Sequence, residues 1–341
     1  MSSMREIAQL SVDPERPFYS ATHEEIASGW TSDVYFVKAR EILREMGLEK
    51  TRVAAEIFAS RPGILCGVRE STALLEGRGV KMWTLPEGAE FESREVVARL
   101  QGAYDRFGLF ETALLGLLAS SSAWATRARE VVRAAGGRPV VSFGARHVHP
   151  AVAPSMERAA SVGGASGVSC ILAARMMGDI PTGTMPHAAV LIAGDTVELA
   201  RAYHRVMPPS ERRIILVDTF RDEVEESLRV ARELGEDLYA VRLDTPSERG
   251  GVTPDLVREV RAHLEAEGFD KVRIFVSGGL NPERVQVLAG AGADGFGVGS
   301  YISGARPIDM TMDIREVEGR PVAKRGRLPG LSRTERLERV L

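Results

Sequence analysis

The chain has 341 residues, a length that suits two domains or one barrel with an appendage. Hydrophobic residues make up 44% and charged residues 27%, a composition that excludes long intrinsic disorder and a collagen-like fibre. There are 44 basic and 47 acidic residues, which gives a net charge of −3 and no basic excess for non-specific binding to nucleic acid. Any phosphate-bearing ligand must therefore be held by local groups.

The cysteines and the apolar runs narrow the class of protein further. Two cysteines far apart, Cys66 and Cys170, cannot form a disulfide scaffold or a four-cysteine zinc site. The N-terminal stretch is charged and lacks an apolar core, and no apolar run approaches the ~18 residues of a membrane helix. We therefore expect a soluble cytoplasmic protein that binds neither membrane nor nucleic acid.

The first 110 residues or so indicate an α+β domain. A helix is predicted from Ser32 or Asp33 to Gly47, since either residue can cap its start and glycine ends it. A strand is predicted over 52–58, and two strands over 81–93 around a Pro-Glu-Gly turn. A long helix follows over 110–135 and ends at a glycine pair.

Beyond residue 138 short apolar runs alternate with amphipathic helices. Such runs are typical of parallel strands buried on both faces, and they occur at 139–143, 213–218, 239–244, 273–279 and 294–299. They predict a barrel or a doubly wound sheet. The tail from Ile308 resembles two antiparallel strands that could return to the N-terminal domain. The predicted domains are 1–112, 113–305 and 306–341.

The carboxyl ends of these strands carry the candidate functional residues, because ligands bind there in parallel α/β folds. The two glycine loops 277–280 and 294–300 are a plausible phosphate site, although tight turns alone would also explain them. Asp218 and Asp244 can hold ribose hydroxyls or a divalent cation, but Asp218 could instead cap the next helix. Arg242 lies on the same strand face as Asp244, and the pair suits a metal–diphosphate ligand or a plain internal salt bridge.

The histidines are less informative. His147 and His149 could suggest a metal pair, but no third ligand is evident near them. His187 lies in a Gly-Thr turn that enters a helix, and the residues alone leave its role open between structural and catalytic.

Taken in order, nine short motifs make the chain resemble the nicotinate phosphoribosyltransferases, and eight of them lie in the segment from about Arg61 to Arg327. They are TSDVYF (31–36), FETALLGLLA (110–119), SFGARHVHP (142–150), GTMPHA (183–188), LVDTF (216–220), VRLD (241–244), SGGL (277–280), DGFGVGS (294–300) and PVAK (321–324). The resemblance implies the fold shared with quinolinate and nicotinamide phosphoribosyltransferases. In it an N-terminal α+β domain, completed by C-terminal strands, accompanies an irregular parallel α/β barrel.

The implied reaction transfers phosphoribosyl from 5-phosphoribosyl 1-diphosphate to the ring nitrogen of nicotinate, giving nicotinate mononucleotide and diphosphate. Mg²⁺ is the implied cofactor, with Asp244 as its protein ligand, and ATP is an implied co-substrate that phosphorylates His187. We expect His187 to influence turnover without being the transferring residue. Diphosphate departure needs charge stabilisation rather than a general base, because the attacking nitrogen carries no proton.

The resemblance also assigns the remaining site residues. Tyr35, from a neighbouring subunit, and Phe143 would enclose the pyridine ring, which predicts a homodimer with a shared active site. Arg146 would bind the acceptor's carboxylate or the nucleotide phosphate, and the Thr184 hydroxyl would donate to the carboxylate. Arg242 and Asp244 would lie near base and diphosphate, and Asp218 would contact ribose. The 5-phosphate loops would comprise Ser277, Gly278, Gly279, Gly297, Gly299 and Ser300.

Three departures from the family pattern concern ATP coupling and the diphosphate contacts rather than the transfer itself. The first is at His187, which Pro186 and Ala188 flank where alanine and serine are common in the family. The second is Thr245, which follows Asp244 where serine is common, and the third is Ser166, which replaces a usual acidic residue. The Ser166 and Thr245 departures favour one alternative, a homologue that binds nucleotide without turnover.

Two enzymatic alternatives stay open as well. Quinolinate phosphoribosyltransferase would need a denser basic cluster than Arg146 and its neighbours provide. A barrel isomerase or aldolase typically requires a lysine or an acid–base carboxylate at a strand end, and neither Lys271 nor Lys324 occupies such a place.

Overall fold

The computed structural model describes residues 3–341, which divide into two compact units. One unit comprises the residues up to Thr126 together with Arg306–Leu341, and the other comprises Arg127–Ala305. The division falls inside the long helix that begins at Glu111, whereas the sequence placed a boundary at residue 112, near the start of that helix.

The N-terminal unit begins with helices and continues as strands. Its helices are α1 (Met4–Gln9), α2 (His23–Ala27), α3 (Val34–Glu45), α4 (Val68–Leu75) and the start of α5 (Glu111–Ala134). Its first strands are β1 (Arg52–Ala59), β2 (Gly63–Ile64), β3 (Lys81–Thr84), β4 (Glu90–Phe91) and β5 (Val96–Ala103). The predicted helices at 33–47 and 110–135 and the strand at 52–58 are confirmed.

The second unit alternates short strands with helices. Its strands are β6 (Val140–Ser142), β7 (Gly167–Val168), β8 (Arg213–Leu216), β9 (Leu238–Leu243), β10 (Arg273–Val276) and β11 (Gly295–Val298). Its helices are α6 (Ala153–Val162), α7 (Ile171–Met176), α8 (His187–Ala193), α9 (Thr196–Val206), α10 (Glu223–Leu234), α11 (Pro254–Ala266), α12 (Pro282–Gly290) and α13 (Ser300–Ser303).

These six strands form one parallel sheet in the order β7-β6-β11-β10-β9-β8. Every residue of β6, β8 and β11 is buried, as expected of strands covered on both faces. The sheet is a curled half-barrel whose edges are β7 and β8. The predicted class, an irregular parallel α/β barrel with an α+β domain, is confirmed.

The C-terminal strands return to the first unit, as the sequence indicated. They are β12 (Met310–Val317), β13 (Arg320–Pro321) and β14 (Glu338–Arg339), and β12 pairs antiparallel with β1. The resulting sheet has the order β13-β12-β1-β5-β3-β14. Glu318 and Gly319 have positive φ angles of 47° and 72°, which makes the tight turn between β12 and β13.

The two strands predicted over 81–93 both exist, but they do not pair with each other. β3 pairs with β5 and β14, while β4 pairs with β2 in a separate two-stranded sheet. The segment between them passes from one sheet to the other. Its Leu85 N–H donates to the Val97 carbonyl, and its Ala89 carbonyl accepts from the Leu65 N–H.

The described residues include no helix that combines the length and the apolar character needed to cross a bilayer.

Candidate functional site

Arg242 organises a polar network at the carboxyl ends of β9 and β10. Its Nη1 donates to Thr184 Oγ1 at 2.7 Å, its Nη2 to Asp244 Oδ2 at 2.9 Å and its Nε to Ser277 Oγ at 2.8 Å. Ser277 Oγ in turn donates to Asp244 Oδ1 at 2.9 Å. A planar guanidinium with three anchored edges is held in one orientation, so the site is ordered before any ligand binds.

His187 is the first residue of α8, and its ring lies beside two carboxylates. Its Nδ1 is 3.1 Å from Thr219 Oγ1, a contact that orients the ring. Its Nε2 is 3.7 Å from Asp218 Oδ2 and 3.6 Å from Asp244 Oδ2. The imidazole therefore joins the carboxyl ends of β8 and β9.

Asp218 is the most unusual group at this site. Its side chain is 0% exposed, and neither carboxylate oxygen has a hydrogen-bond partner among the described residues. Burial raises the pKa of Asp218 to about 6, against the lowering effect of nearby His187. A buried acceptor without a donor is costly, so these oxygens are suited to a ligand's hydroxyl groups or to a cation.

The sequence left a structural alternative open for each aspartate, a helix cap for Asp218 and an internal salt bridge for Asp244, and the structure contains only the salt bridge. Asp218 does not cap α10, because Asp222 does so by accepting from the backbone N–H groups of Val224 and Glu225. The Arg242–Asp244 salt bridge does exist. It lies within the network around His187, and this position is compatible with a role in binding.

Phe143 follows β6, and its ring packs closely against the backbone of β11. A Cβ added to Gly297 would lie 2.2 Å from Phe143 Cε2, and one added to Gly299 would lie 3.0 Å from the Phe143 carbonyl oxygen. The Phe143 ring centroid is 5.3 Å from the guanidinium carbon of Arg242. Close packing thus requires glycine at 297 because of the Phe143 ring and at 299 because of the His147 ring and the Phe143 carbonyl, a reason that the sequence did not indicate.

Gly278 and Gly279 form an exposed loop after β10 with φ angles of 92° and 59°. A Cβ on Gly278 would lie 3.1 Å from Asp244 Oδ1, so the loop backbone approaches the carboxylate network closely. Successive residues of this kind leave backbone N–H groups open to an anion. Ser300 begins the short helix α13 after β11 and is exposed.

Two of the predicted residues are not members of the Arg242 network. Arg146 is exposed on the 3₁₀ turn Ala145–His147, and no contact joins it to Arg242 among the described residues. Tyr35 belongs to the other unit, where it lies on α3 and is 57% exposed, and its ring centroid is 4.2 Å from that of Phe36 in a tilted arrangement.

Two residues with clear structural roles were assigned no role from the sequence. Thr219 orients His187, and its position beside Asp218 was the only available signal. Glu157 on α6 is fully buried and accepts from Ser142 Oγ, Ser169 Oγ and the Cys170 N–H. It thereby joins the carboxyl end of β6 to the loop after β7, and nothing local in the sequence reveals this.

The described residues contain no group of three or more His, Cys, Asp or Glu side chains that could hold a metal ion by themselves. Asp218 and Asp244 nevertheless provide two carboxylates, one with both oxygens unpartnered. Mg²⁺ commonly binds one or two carboxylates together with water and substrate phosphates. The residues fit a cation that arrives with a phosphate-bearing ligand rather than a metal held in a protein cage.

Comparison with protein families gives two adjoining matches. Residues 33–122 match the family described as "Quinolinate phosphoribosyl transferase, N-terminal domain", and residues 124–313 match its C-terminal domain. Together the matches extend over both units.

Curated relatives and solved structures agree with these matches. Nicotinate phosphoribosyltransferase pncB2 of Mycobacterium tuberculosis is 36% identical over 70% of this chain and 52% of its own length, so the chain spans about half of that relative. A probable carboxylating nicotinate-nucleotide pyrophosphorylase of Methanothermobacter thermautotrophicus is 24% identical over 78% of this chain and 89% of its own length. The crystal structure of nicotinate-nucleotide pyrophosphorylase from Pyrococcus furiosus superposes with a TM-score of 0.89 and 45% identity, covering 93% of this chain and 82% of that one.

Proposed function

The chain belongs to the quinolinate phosphoribosyltransferase family, and we propose that it is a phosphoribosyltransferase of pyridine nucleotide biosynthesis. In the proposed reaction the C1–oxygen bond of 5-phosphoribosyl 1-diphosphate breaks, and a bond forms between C1 and the ring nitrogen of a pyridine carboxylate. The products are a mononucleotide and diphosphate. The observation that carries the proposal is the fixed Arg242 network beside the unpartnered carboxylate of Asp218.

The proposed roles follow from where charge develops during the reaction. The ribose becomes positive as diphosphate leaves, so the buried Asp218 carboxylate would stabilise it while accepting ribose hydroxyls. The guanidinium of Arg242 would bind the leaving diphosphate or the acceptor's carboxylate, and Gly278 and Gly279 would bind the 5-phosphate through backbone N–H groups. Bound Mg²⁺, held through Asp244 and substrate oxygens, would supply further neutralisation of diphosphate charge.

Two acceptors are candidates, and different observations favour each. The family matches by their description, together with the carboxylating relative, favour quinolinate, which the sequence analysis gave as the alternative, over nicotinate. The side chains favour nicotinate, because Arg242 Nη1 and Thr184 Oγ1 lie together and form a binding position for a single carboxylate. Quinolinate carries two carboxylates and would need a second basic group, for which exposed Arg146 is the candidate.

ATP coupling and self-association are further parts of the proposal. Contact with Thr219 at Nδ1 leaves His187 Nε2 as the nitrogen that a phosphoryl group would modify. Exposed aliphatic side chains on and between α7 and α8 support a homodimer in which Tyr35 serves the neighbouring site. These side chains are Ile171, Leu172, Met176, Ile180, Leu191 and Ile192.

A diphosphate-release assay tests the proposal. Nicotinate, quinolinate and nicotinamide would each be supplied with 5-phosphoribosyl 1-diphosphate and Mg²⁺, with and without ATP. Release with quinolinate accompanied by CO₂ identifies the carboxylating reaction, whereas release with nicotinate and no CO₂ identifies the nicotinate reaction. Binding of 5-phosphoribosyl 1-diphosphate without diphosphate release for any acceptor would contradict the proposal and favour a non-catalytic homologue.

A further inference from the structure

A basic cavity lies at the amino-terminal ends of β8, β9 and β10, at the opposite ends of these strands from the Arg242 network. Its volume is about 690 Å³. The residues that matter here are Arg205, Arg212, Arg213, Tyr239, Lys271 and Arg273. Nothing in the proposed transfer reaction uses them.

The cations of this cavity outnumber its carboxylates. Its lining contains five Arg or Lys residues and three acids, Glu211, Glu236 and Asp237, which leaves a formal excess of two positive charges (5 − 3) in a chain whose net charge is −3. Within the described part of the chain, Arg212, Lys271 and Arg273 have no carboxylate close enough for an ion pair, while Asp237 lies 3.9 Å from His204. Uncompensated cations in a concave surface attract anions.

Two of the guanidinium groups are positioned by one aromatic ring. The guanidinium carbon of Arg212 is 4.5 Å from the Tyr239 ring centroid, and that of Arg273 is 5.0 Å from it. Arg212 Nη1 also donates to Tyr239 Oη at 3.0 Å. Stacking restrains both side chains and leaves other N–H groups of each fork free for phosphate oxygens.

The wall that carries Arg212 is fixed by its neighbour Arg213. The Arg213 side chain is 6% exposed and donates to the carbonyl oxygens of His204, Met207, Pro208 and Glu211. A buried guanidinium with four backbone acceptors holds the turn between α9 and β8 in one conformation. The cavity is therefore preformed rather than assembled from mobile side chains.

Lys271 gives the cavity a third unpaired cation. It is the single lysine between residues 127 and 305, and it lies just before β10. Lys271 and Arg273 also line an adjoining cavity of about 480 Å³. Arg212, Arg273 and Lys271 all line the basic cavity, so an anion longer than one phosphate group could contact the three together.

We propose that this basic cavity is a binding site for a polyphosphate anion, separate from the candidate active site. The anion is either inorganic polyphosphate or the phosphate chain of a nucleotide. The inference rests on the Arg212–Tyr239–Arg273 arrangement and on the Arg213-held wall, so it does not depend on the proposed transferase function.

Calorimetric titration of the full chain with inorganic tripolyphosphate tests this site. All the variants carry the change Arg242→Gln, so that the candidate active site contributes less binding, and the chain with this change alone is called the parent. We expect the parent to bind one tripolyphosphate, and the added pair Arg212→Gln and Arg273→Gln to weaken binding at least tenfold. Lys271→Gln alone should weaken it two- to fivefold, which guards against a folding defect in the double change. Arg258→Gln, an exposed arginine on α11 paired with Asp255, should leave binding unchanged.

Titration with ATP then distinguishes the sources of the anion. Tighter binding of ATP than of tripolyphosphate, lost in the same variants, identifies a nucleotide, and equal binding identifies the polyphosphate chain itself. Two results would overturn the proposal: no binding to the Arg242→Gln parent, or equal binding with and without the Arg212→Gln and Arg273→Gln changes when circular dichroism shows both chains folded.

Discussion

Nε2 of His187 lies 3.7 Å from Oδ2 of Asp218, a buried carboxylate without a hydrogen-bond partner among the described residues. Burying the Asp218 carboxylate without a donor costs stability in the free protein, and the neighbouring His187 favours the ionised form of that carboxylate. Such an arrangement is typical of a site whose charge is stabilised by a ligand.

Asp218→Asn should make the free protein more stable at neutral pH. Burial raises the pKa of Asp218 from 3.8 to about 6, so the native state favours the neutral carboxyl group. That stability is fully present below about pH 4 and is lost as pH rises through 6, at a cost on the order of 3 kcal/mol. The variant should therefore match wild type near pH 4 in urea unfolding and exceed it at pH 8, while transferase activity falls at least 100-fold.

Asp255→Asn is the matched control, since Asp255 is a highly exposed aspartate on α11. Because its ion pair with Arg258 is exposed, the change should lower the unfolding free energy only slightly and should not stabilise the protein at pH 8. A lower stability of Asp218→Asn than of wild type at pH 8 would show that Asp218 has a stabilising partner that the geometry does not reveal.

His187→Ala should retain single-turnover transfer without ATP to within about tenfold, because attack by the pyridine nitrogen requires no proton transfer. It should lose any stimulation by ATP. Rapid-quench measurement of mononucleotide formation, with enzyme in excess, separates the two effects. Loss of ATP-independent transfer in this variant would make His187 part of the chemical step and contradict the hypothesis.

Arg242→Lys should lower kcat/KM at least 100-fold, equivalent to about 3 kcal/mol of transition-state stabilisation. An ammonium group cannot replace a planar fork that contacts Thr184, Asp244 and Ser277 at once. Steady-state kinetics with both pyridine carboxylates provides the measurement, and Arg258→Lys on α11 provides the control. Full activity of Arg242→Lys would mean that the anchored guanidinium serves only to hold the strand ends together.

Much of the barrel unit could be predicted from the sequence, because short apolar runs between amphipathic helices specify parallel strands and their ends. Arg242 and Asp244 were assigned to one strand face from their spacing alone, and their side chains do meet at 2.9 Å. The other two residues that contact the Arg242 guanidinium, Thr184 and Ser277, come from segments that are distant from Arg242 in the sequence. Resemblance to a family, rather than local pattern, drew attention to Thr184.

The failures have physical causes as well. No strand was predicted over residues 96–103, where β5 has the sequence VVARLQGA, because its Ala, Arg, Leu and Gln residues favour helices. Pairing with β1 and β3 on either side holds it as a strand. Glu157 could not be recognised because its three donors come from two segments distant from it in the sequence, Ser142 in one and Ser169 and Cys170 in the other. A buried carboxylate of this kind is defined by tertiary structure alone.

Glu157→Gln should destabilise the protein by about 2 kcal/mol, because an amide nitrogen would then face donors that require an acceptor. The change should also raise the KM of the pyridine acceptor, since Ser142 precedes Phe143 at the end of β6. Urea unfolding and steady-state kinetics measure the two effects, and Glu198→Gln on the exposed face of α9 is the control. A stability equal to that of wild type would show that Ser142 and Ser169 reorient to donate elsewhere.

Gly297→Ala should impair catalysis more than Gly295→Ala, although both changes crowd an aromatic ring. The added Cβ would lie 2.2 Å from Phe143 Cε2 at position 297 and 2.5 Å from Phe275 Cε1 at position 295. Both variants should lose about 1–3 kcal/mol of stability by overpacking. Only Gly297→Ala displaces Phe143, whose ring centroid is 5.3 Å from the guanidinium carbon of Arg242. We therefore expect Gly297→Ala, and not Gly295→Ala, to raise the KM of the acceptor tenfold or more, even if both variants lose the same stability. Equal KM values in the two variants would remove Phe143 from the acceptor site and leave its ring as part of the packing between β6 and β11.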